Sequence, residues 1–201
     1  LLINPNISDS VTTLIEAEAR RSASPETQIT MQTAAFGVAY IETRFEALIG
    51  AYATAQLAAE HHAGHDAVIV AAFGDPGLAG LREALPVPVL GMTESALATA
   101  CLLGHRFSII AISQRIQAWY REVVEANGLS GRLASIRALD RPLASIGHVQ
   151  DDHAEDTAHG SLRTSVDHAG RPSRCRGRIL ADRSACIGDR FVPPSAAVTG
   201  A

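Results

Sequence analysis

Asp66–Leu78, DAVIVAAFGDPGL, constrains this chain more than any other stretch. Ala67 to Ala72 is a short, almost wholly apolar run with valine and isoleucine at its centre. Bounded by polar and turn residues, such a run reads as a strand covered on both faces. It ends in Phe73-Gly74-Asp75-Pro76-Gly77, a composition that forms a tight turn. Leu78, Leu81 and Leu85 follow at helical spacing. The unit is therefore strand, turn, helix, with the turn at the carboxyl end of a buried strand. Free backbone N–H groups and the positive end of a helix dipole are expected to meet there. That environment suits a carboxylate, an enolate or an imide oxygen.

The rest of the chain repeats this grammar. Leu1–Asn4 reads as a strand stub, closed by an Asn4-Pro5-Asn6 turn. Ser8 or Asp9 caps a helix running to about Arg21. Thr27–Thr33 alternates and is β-rich, Gly37–Ile41 is a loop, and Glu42 to about His61 is a long Ala-rich helix. Asp66–Ala72 is the third strand and Gly77–Ala84 the helix after it. Val87–Gly91 is the fourth strand, and Thr93-Glu94-Ser95 opens a helix through Leu103. Phe107–Ser113 and Arg132–Ala138 read as two more strands, with a helix over Ile116–Ala126 between them. Strands alternating with helices predict a parallel α/β sheet. Residues 1–95 form a first lobe in this reading, and 96–150 begin a second.

The character changes after about residue 150. Seven of the 17 arginines fall in the last 51 residues, and apolar periodicity vanishes between Asp151 and Arg178. Residues 151–201 are an atypical tail, read either as disorder or as the product of a shifted frame in a GC-rich gene. The chain contains no lysine, which fits such a source. That absence also excludes a Schiff-base lysine, hence pyridoxal phosphate chemistry, and a Walker-type phosphate loop. The net charge of −4 argues against nucleic acid as a partner. No run is long enough to span a membrane and none has the form of a signal peptide, while the missing initiator Met leads us to expect a few preceding residues. Three cysteines, an odd and sparse count, point to a reducing compartment and a cytoplasmic location. A chain of 201 residues suffices for one well-cored domain or two small lobes.

Five motifs then carry a likeness: LLINPNIS at the amino end, AYIETRFE (Ala39–Glu46), DAVIVAAFGDPGL, VPVLGMTESA (Val87–Ala96) and GHRFSIIAIS (Gly104–Ser113). Together, in this order, they resemble the aspartate/glutamate/hydantoin racemase superfamily, on its hydantoin and allantoin racemase branch, over roughly residues 1–150. The resemblance implies two flavodoxin-like parallel-sheet lobes with an active site in the cleft between them, the second lobe only begun here. It implies no cofactor and no metal. The partners it implies are a small-molecule carboxylate or cyclic ureide and further copies of the chain. The implied chemistry is two-base proton transfer. One thiolate removes the proton alpha to a carbonyl and a second thiol protonates the opposite face.

Two positions depart from that pattern. The family's first cysteine precedes Phe-Gly-Asp-Pro-Gly, and Ala72 stands there. A methyl group neither accepts nor donates a proton. The second cysteine belongs to a Gly-Cys-Ala-Gly-like turn, for which Cys186 is the candidate. The expected function is a cofactor-independent racemase or epimerase impaired at residue 72. The alternatives are an inactive small-molecule-binding homologue, or a decarboxylase or isomerase of the same superfamily. Substrate contacts are expected from Asn6, Phe73, Gly74, Asp75, Thr93, Glu94, Ser95 and Ser113. Each has a plainer alternative. Asp75 can cap the following helix, Asn6 can make an Asx turn, Thr93–Ser95 can be a capping sequence, and Ser113 can simply end a strand. Cys101 reads as core, and Cys175 lies among arginines in the tail. The His61, His62 and His65 cluster, and the run Asp151-Asp152-His153 with Glu155, Asp156 and His159, read as solvated rather than metal-binding.

Overall fold

The computed structural model describes residues 1–139. The tail, Cys175, Cys186 and the acidic run from Asp151 lie outside the described residues. Four parallel strands form the first sheet: β1 (Leu2–Asn4), β2 (Met31–Thr33), β3 (Val68–Val70) and β4 (Val89–Gly91). Their order is β2-β1-β3-β4, with Leu2 opposite Met31, Ile3 opposite Val70 and Ile69 opposite Leu90. The chain leaves β1 in one direction to place β2 and in the other to place β3. Open parallel sheets bind ligands at such a switch, outside the carboxyl ends of the strands. Asn4-Pro5-Asn6 and Ala71-Ala72-Phe73 occupy that place.

Every strand of this sheet is shorter than the sequence predicts. β2 begins at Met31 rather than Thr27, β3 covers Val68–Val70 rather than Asp66–Ala72, and β4 starts at Val89 rather than Val87. Pro5 has no N–H, so β1 cannot extend the ladder beyond Asn4 and β3 loses its partner at that end, while β2 begins at Met31 because Leu2, where β1 starts, stands opposite it. Pro86 and Pro88 have the same effect before β4. Ile3, Val68 and Val70 are fully buried and pack against Ala58, Leu78, Leu81 and Val89.

The helices begin where side chains satisfy their first amides. α1 (Asp9–Ser22) is capped by Ser8. α2 (Arg44–His61) starts after Thr43, whose Oγ1 accepts from Glu46 N at 3.2 Å. Glu46 reaches back and accepts from Glu42 N at 2.7 Å. The stretch Thr43–Glu46 thus behaves as a capping box shifted by one residue, which moves the helix start from Glu42 to Arg44. α3 (Leu78–Ala84) and α4 (Met92–Leu103) follow β3 and β4.

A second parallel sheet pairs β5 (Phe107–Ala111) with β6 (Leu133–Ala138), joined through α5 (Gln117–Ala126). A 3-10 turn at Gln114–Ile116 precedes α5, so strand pairing stops at Ala111 instead of Ser113. Phe107, Ile109, Ala111, Ile116, Tyr120, Val124 and Ile136 form its core, and Leu97 of α4 belongs to this cluster. The two sheets meet through paired charges and aromatic rings. Arg44 binds Glu122 through two guanidinium nitrogens, and Arg115 Nη1 lies 3.4 Å from the buried Glu42 Oε2.

Candidate active site

The turn after β3 is built around two residues with left-handed backbone. Gly74 has φ 105° and Asp75 has φ 47°. Glycine is required at 74 for a second reason. A Cβ there would lie 2.2 Å from the Trp119 ring, which packs directly on the turn. Asp75 tolerates its conformation because its carboxylate is fully used. Oδ1 accepts from Thr93 N at 2.8 Å and Oδ2 from Glu94 N at 2.9 Å. Gly91 leaves the room for this, since a Cβ there would sit 2.4 Å from the same carboxylate. Thr93, fully buried, accepts from Gly74 N at 2.5 Å through Oγ1. The turn and the first turn of α4 are thereby one hydrogen-bonded unit.

This arrangement corrects one expectation. Asp75 caps a helix, but it is α4 and not the following α3. α3 follows Gly77, an N-cap with φ 85° and no side-chain cap. The positive end of α4 is occupied by a carboxylate of the protein itself. The donors left at the turn are different ones. Asp75 N donates to Ala72 O at 3.2 Å, while the N–H groups of Ala72 and Phe73 have no acceptor among the described residues. Burial pushes the Asp75 carboxyl above its ordinary value, and the bonds from the Thr93 and Glu94 amides hold it back.

On the β1 side, Asn4 and Asn6 are both buried. Asn4 Nδ2 donates to Asn6 Oδ1 at 3.0 Å and to Thr12 Oγ1 at 2.9 Å. Asn6 Oδ1 also accepts from Ser8 N at 2.9 Å, which is the Asx-turn reading. Its Nδ2 has no protein acceptor among the described residues. Asn6 and Ala72 thus lie at the ends of neighbouring strands, each with a donor to spare.

Glu94 and Ser113 make bonds within the protein. Glu94 takes Arg82 Nη1 at 2.9 Å, a second guanidinium bond, and Gly91 N at 3.2 Å. Arg82 holds its carboxyl below the ordinary range. Ser95 lines a shallow cavity of about 430 Å³ with Glu94, Ala98, Asn127 and Leu129. Ser113 Oγ accepts from Arg115 N at 3.2 Å and caps the 3-10 turn. Cys101 packs against the second core from α4. Among the described residues, no group of three or more His, Cys, Asp or Glu has metal-binding geometry, and no helix is long and apolar enough to cross a membrane.

Sequence reasoning missed the aromatic wall that α5 adds. Phe73 packs on Tyr120 with centroids 4.5 Å apart, and Trp119 lies 5.7 Å from Tyr120. Burial raises the Tyr120 phenol well above its ordinary value, so it stays neutral. Glu42 and Arg115 were missed as well. The signals were the adjacent Trp119-Tyr120 pair and the acidic residue inside the AYIETRFE motif.

The comparisons with known proteins converge on one family. The Asp/Glu/Hydantoin racemase family model matches residues 1–170, running into the region where composition changes. Hydantoin racemase of Pseudomonas sp. (strain NS671) is 30% identical over 154 residues, 76% of this chain and 61% of that protein. Hydantoin racemase of Paenarthrobacter aurescens is 30% identical over 185 residues, 89% of this chain and 78% of that one. Allantoin racemase from Klebsiella pneumoniae superposes with a TM-score of 0.71 at 33% identity, covering 78% of this chain and 66% of the other. The chain thus spans less than two thirds of the Pseudomonas enzyme's length. With a parallel α/β architecture and a matching family model over most of its length, this chain belongs to the Asp/Glu/hydantoin racemase family.

Proposed function

We propose that this chain is a cofactor-independent racemase or epimerase scaffold, impaired at residue 72. Its substrate would be a hydantoin, an allantoin-like ureide or an amino-acid derivative, with the reaction alpha to a carbonyl. The observation that carries this reading is the placement of Ala72 and Asn6. Both stand at the carboxyl ends of neighbouring strands, at the switch point of the first sheet, beside N–H donors that have no acceptor among the described residues. In this reading the Ala72 and Phe73 amides and the Asn6 Nδ2 hold the substrate carbonyl, and they stabilise the enolate oxygen as the alpha proton leaves. Phe73 and Gly74 shape the floor, and Asp75 and Thr93 hold it in place. The division into lobes at residues 1–95 and 96–150, the cleft between them and a cytoplasmic location belong to the same proposal.

The reaction needs one base on each face of the alpha carbon. A thiolate on one face takes the proton, and a thiol on the other returns one, so that the two groups exchange protonation states. Ala72 leaves one face without either. Cys186 is the proposed second group. An accessory homologue that binds the same ligand without turning it over is the second reading, and the methyl at residue 72 is what favours it. Deuterium exchange at the alpha carbon and loss of optical rotation, with hydantoin and allantoin, separate the readings. Inversion that appears only in Ala72→Cys supports the impaired racemase. Ligand binding with no exchange in either protein supports the accessory homologue.

A further inference from the structure

α5 and the turn before it lay one face on the core of the second sheet. Ile116, Tyr120 and Val124 recur every four residues along that face, and all three are buried. Two of them are aliphatic, which is all that packing asks. The third brings a phenol oxygen into a core that makes no use of it. Tyr120 is 5% exposed, yet its O–H has no acceptor among the described residues. A buried tyrosine hydroxyl ordinarily finds a partner, because leaving it unpaired costs stability. Burial alone shifts its ionisation, with no hydrogen bond contributing. The oxygen is not sealed, however. Among the described residues, the side-chain atom closed off from solvent without a partner is His65 Nδ1, which lies before β3. The Tyr120 hydroxyl therefore meets solvent at the edge of its core.

Its neighbours place that edge at the junction of the two sheets. The Tyr120 ring lies against Phe73, with centroids 4.5 Å apart, and Phe73 directly follows Ala72. Trp119, beside it on α5, covers Gly74. The polar groups gathered here share a bias. Their acceptors are spent: the Asp75 oxygens take two amides of α4, Thr93 Oγ1 takes Gly74 N, and Asn6 Oδ1 takes Asn4 Nδ2 and Ser8 N. Their donors are not. Asn6 Nδ2, the Ala72 and Phe73 amides and the Tyr120 hydroxyl all lack an acceptor among the described residues. Spare donors without spare acceptors fit a carbonyl-rich ligand, such as a cyclic imide or ureide.

We infer that the Tyr120 hydroxyl is a substrate-binding donor, brought by α5 from the second sheet to a carbonyl oxygen of the ligand held at Ala72 and Asn6. The inference rests on the proposed site and not on turnover there. A phenol suits the role, since it keeps its proton at neutral pH and donates without adding charge. Phe73 and Trp119 already fix the ring, so little rotamer freedom is left to lose on binding.

Calorimetric titration of the full chain with hydantoin and with allantoin, on the parent and on Tyr120→Phe, tests this. The substitution keeps the ring and its packing and removes the oxygen. The expected result is a dissociation constant roughly tenfold higher for at least one of the two ligands. The urea unfolding midpoint should equal or exceed the parent's, because an unpaired hydroxyl has left the core. Equal binding by parent and variant overturns this inference alone. Weaker binding with a lower midpoint overturns it too, since the hydroxyl would then serve the fold. A parent that binds neither ligand overturns both the inference and the site on which it rests.

Discussion

Asp75 holds the turn by doing two things at once. It accepts a left-handed backbone that favours glycine, and it spends both carboxylate oxygens on the first amides of α4. Asn can keep only one of those bonds, because its amide nitrogen would face an N–H. Asp75→Asn is therefore expected to cost about 1–2 kcal/mol at neutral pH, read by urea unfolding. The pH dependence has an unusual sign. Burial raises the folded carboxyl above its ordinary value of 3.8, so the native state holds that proton more tightly than the unfolded chain. The group's contribution is full below 3.8 and is lost as pH rises through the folded value. The stability gap between the parent and Asp75→Asn should thus narrow as pH rises through that window. A gap that widens would mean that the two amide bonds outweigh burial. Gly74 offers a second test. An added methyl collides with Trp119 and suffers φ 105°, so Gly74→Ala should cost about 2–4 kcal/mol. Pairing it with Trp119→Ala should recover the steric part and leave the backbone part, giving less than additive loss in a double-mutant cycle.

At the scale of elements, hydrophobic pattern located every strand and α-helix of the described residues but misjudged their ends and gave no sign of the 3-10 turns at Gln114–Ile116 and Ser130–Arg132. Thr27–Thr30 is as β-prone as Met31–Thr33, yet only the latter faces a β1 residue in register. The limit comes from where β1 begins, with Leu2 opposite Met31, and local propensity carries no information about a partner's extent. The helix starts were closer, since Ser8 and Thr43 announce themselves in the sequence. The cap of α4 was not legible, because its carboxylate arrives from Asp75 across the sheet end. No spacing rule connects residues 75 and 93. The same holds for Phe73, Trp119 and Tyr120, which meet only once both sheets exist. β1 is the element on which the first core depends. Ile3 is fully buried in that sheet's cluster, between β2 and β3 in strand order. Ile3→Ala should cost about 2–5 kcal/mol with an unchanged denaturant m value. A loss below 1 kcal/mol would mean that the neighbouring side chains collapse into the space.

Over the whole molecule, the two sheets are joined by contacts of unequal worth. The Arg44–Glu122 pair is exposed and contributes little on its own. The tilted ring contact of Phe73 with Tyr120 and the Trp119 ring on Gly74 tie α5 to the turn at the sheet's switch point. A family that inverts carbon centres needs its reacting groups held from two sides, and this junction is where the first sheet's side is fixed. Family membership was legible from five short motifs, which in the structure cover strand ends, the turn after β3 and the cap of α2. In the proposed reading, whether the chain turns over a substrate depends on the methyl of Ala72, which no fold argument can supply. The measurement that bears most directly on this is deuterium incorporation at the alpha carbon of hydantoin and allantoin, in the parent chain and in Ala72→Cys. The account predicts no inversion in the parent and measurable exchange with inversion in Ala72→Cys. Inversion by the parent at the same rate as Ala72→Cys would contradict it.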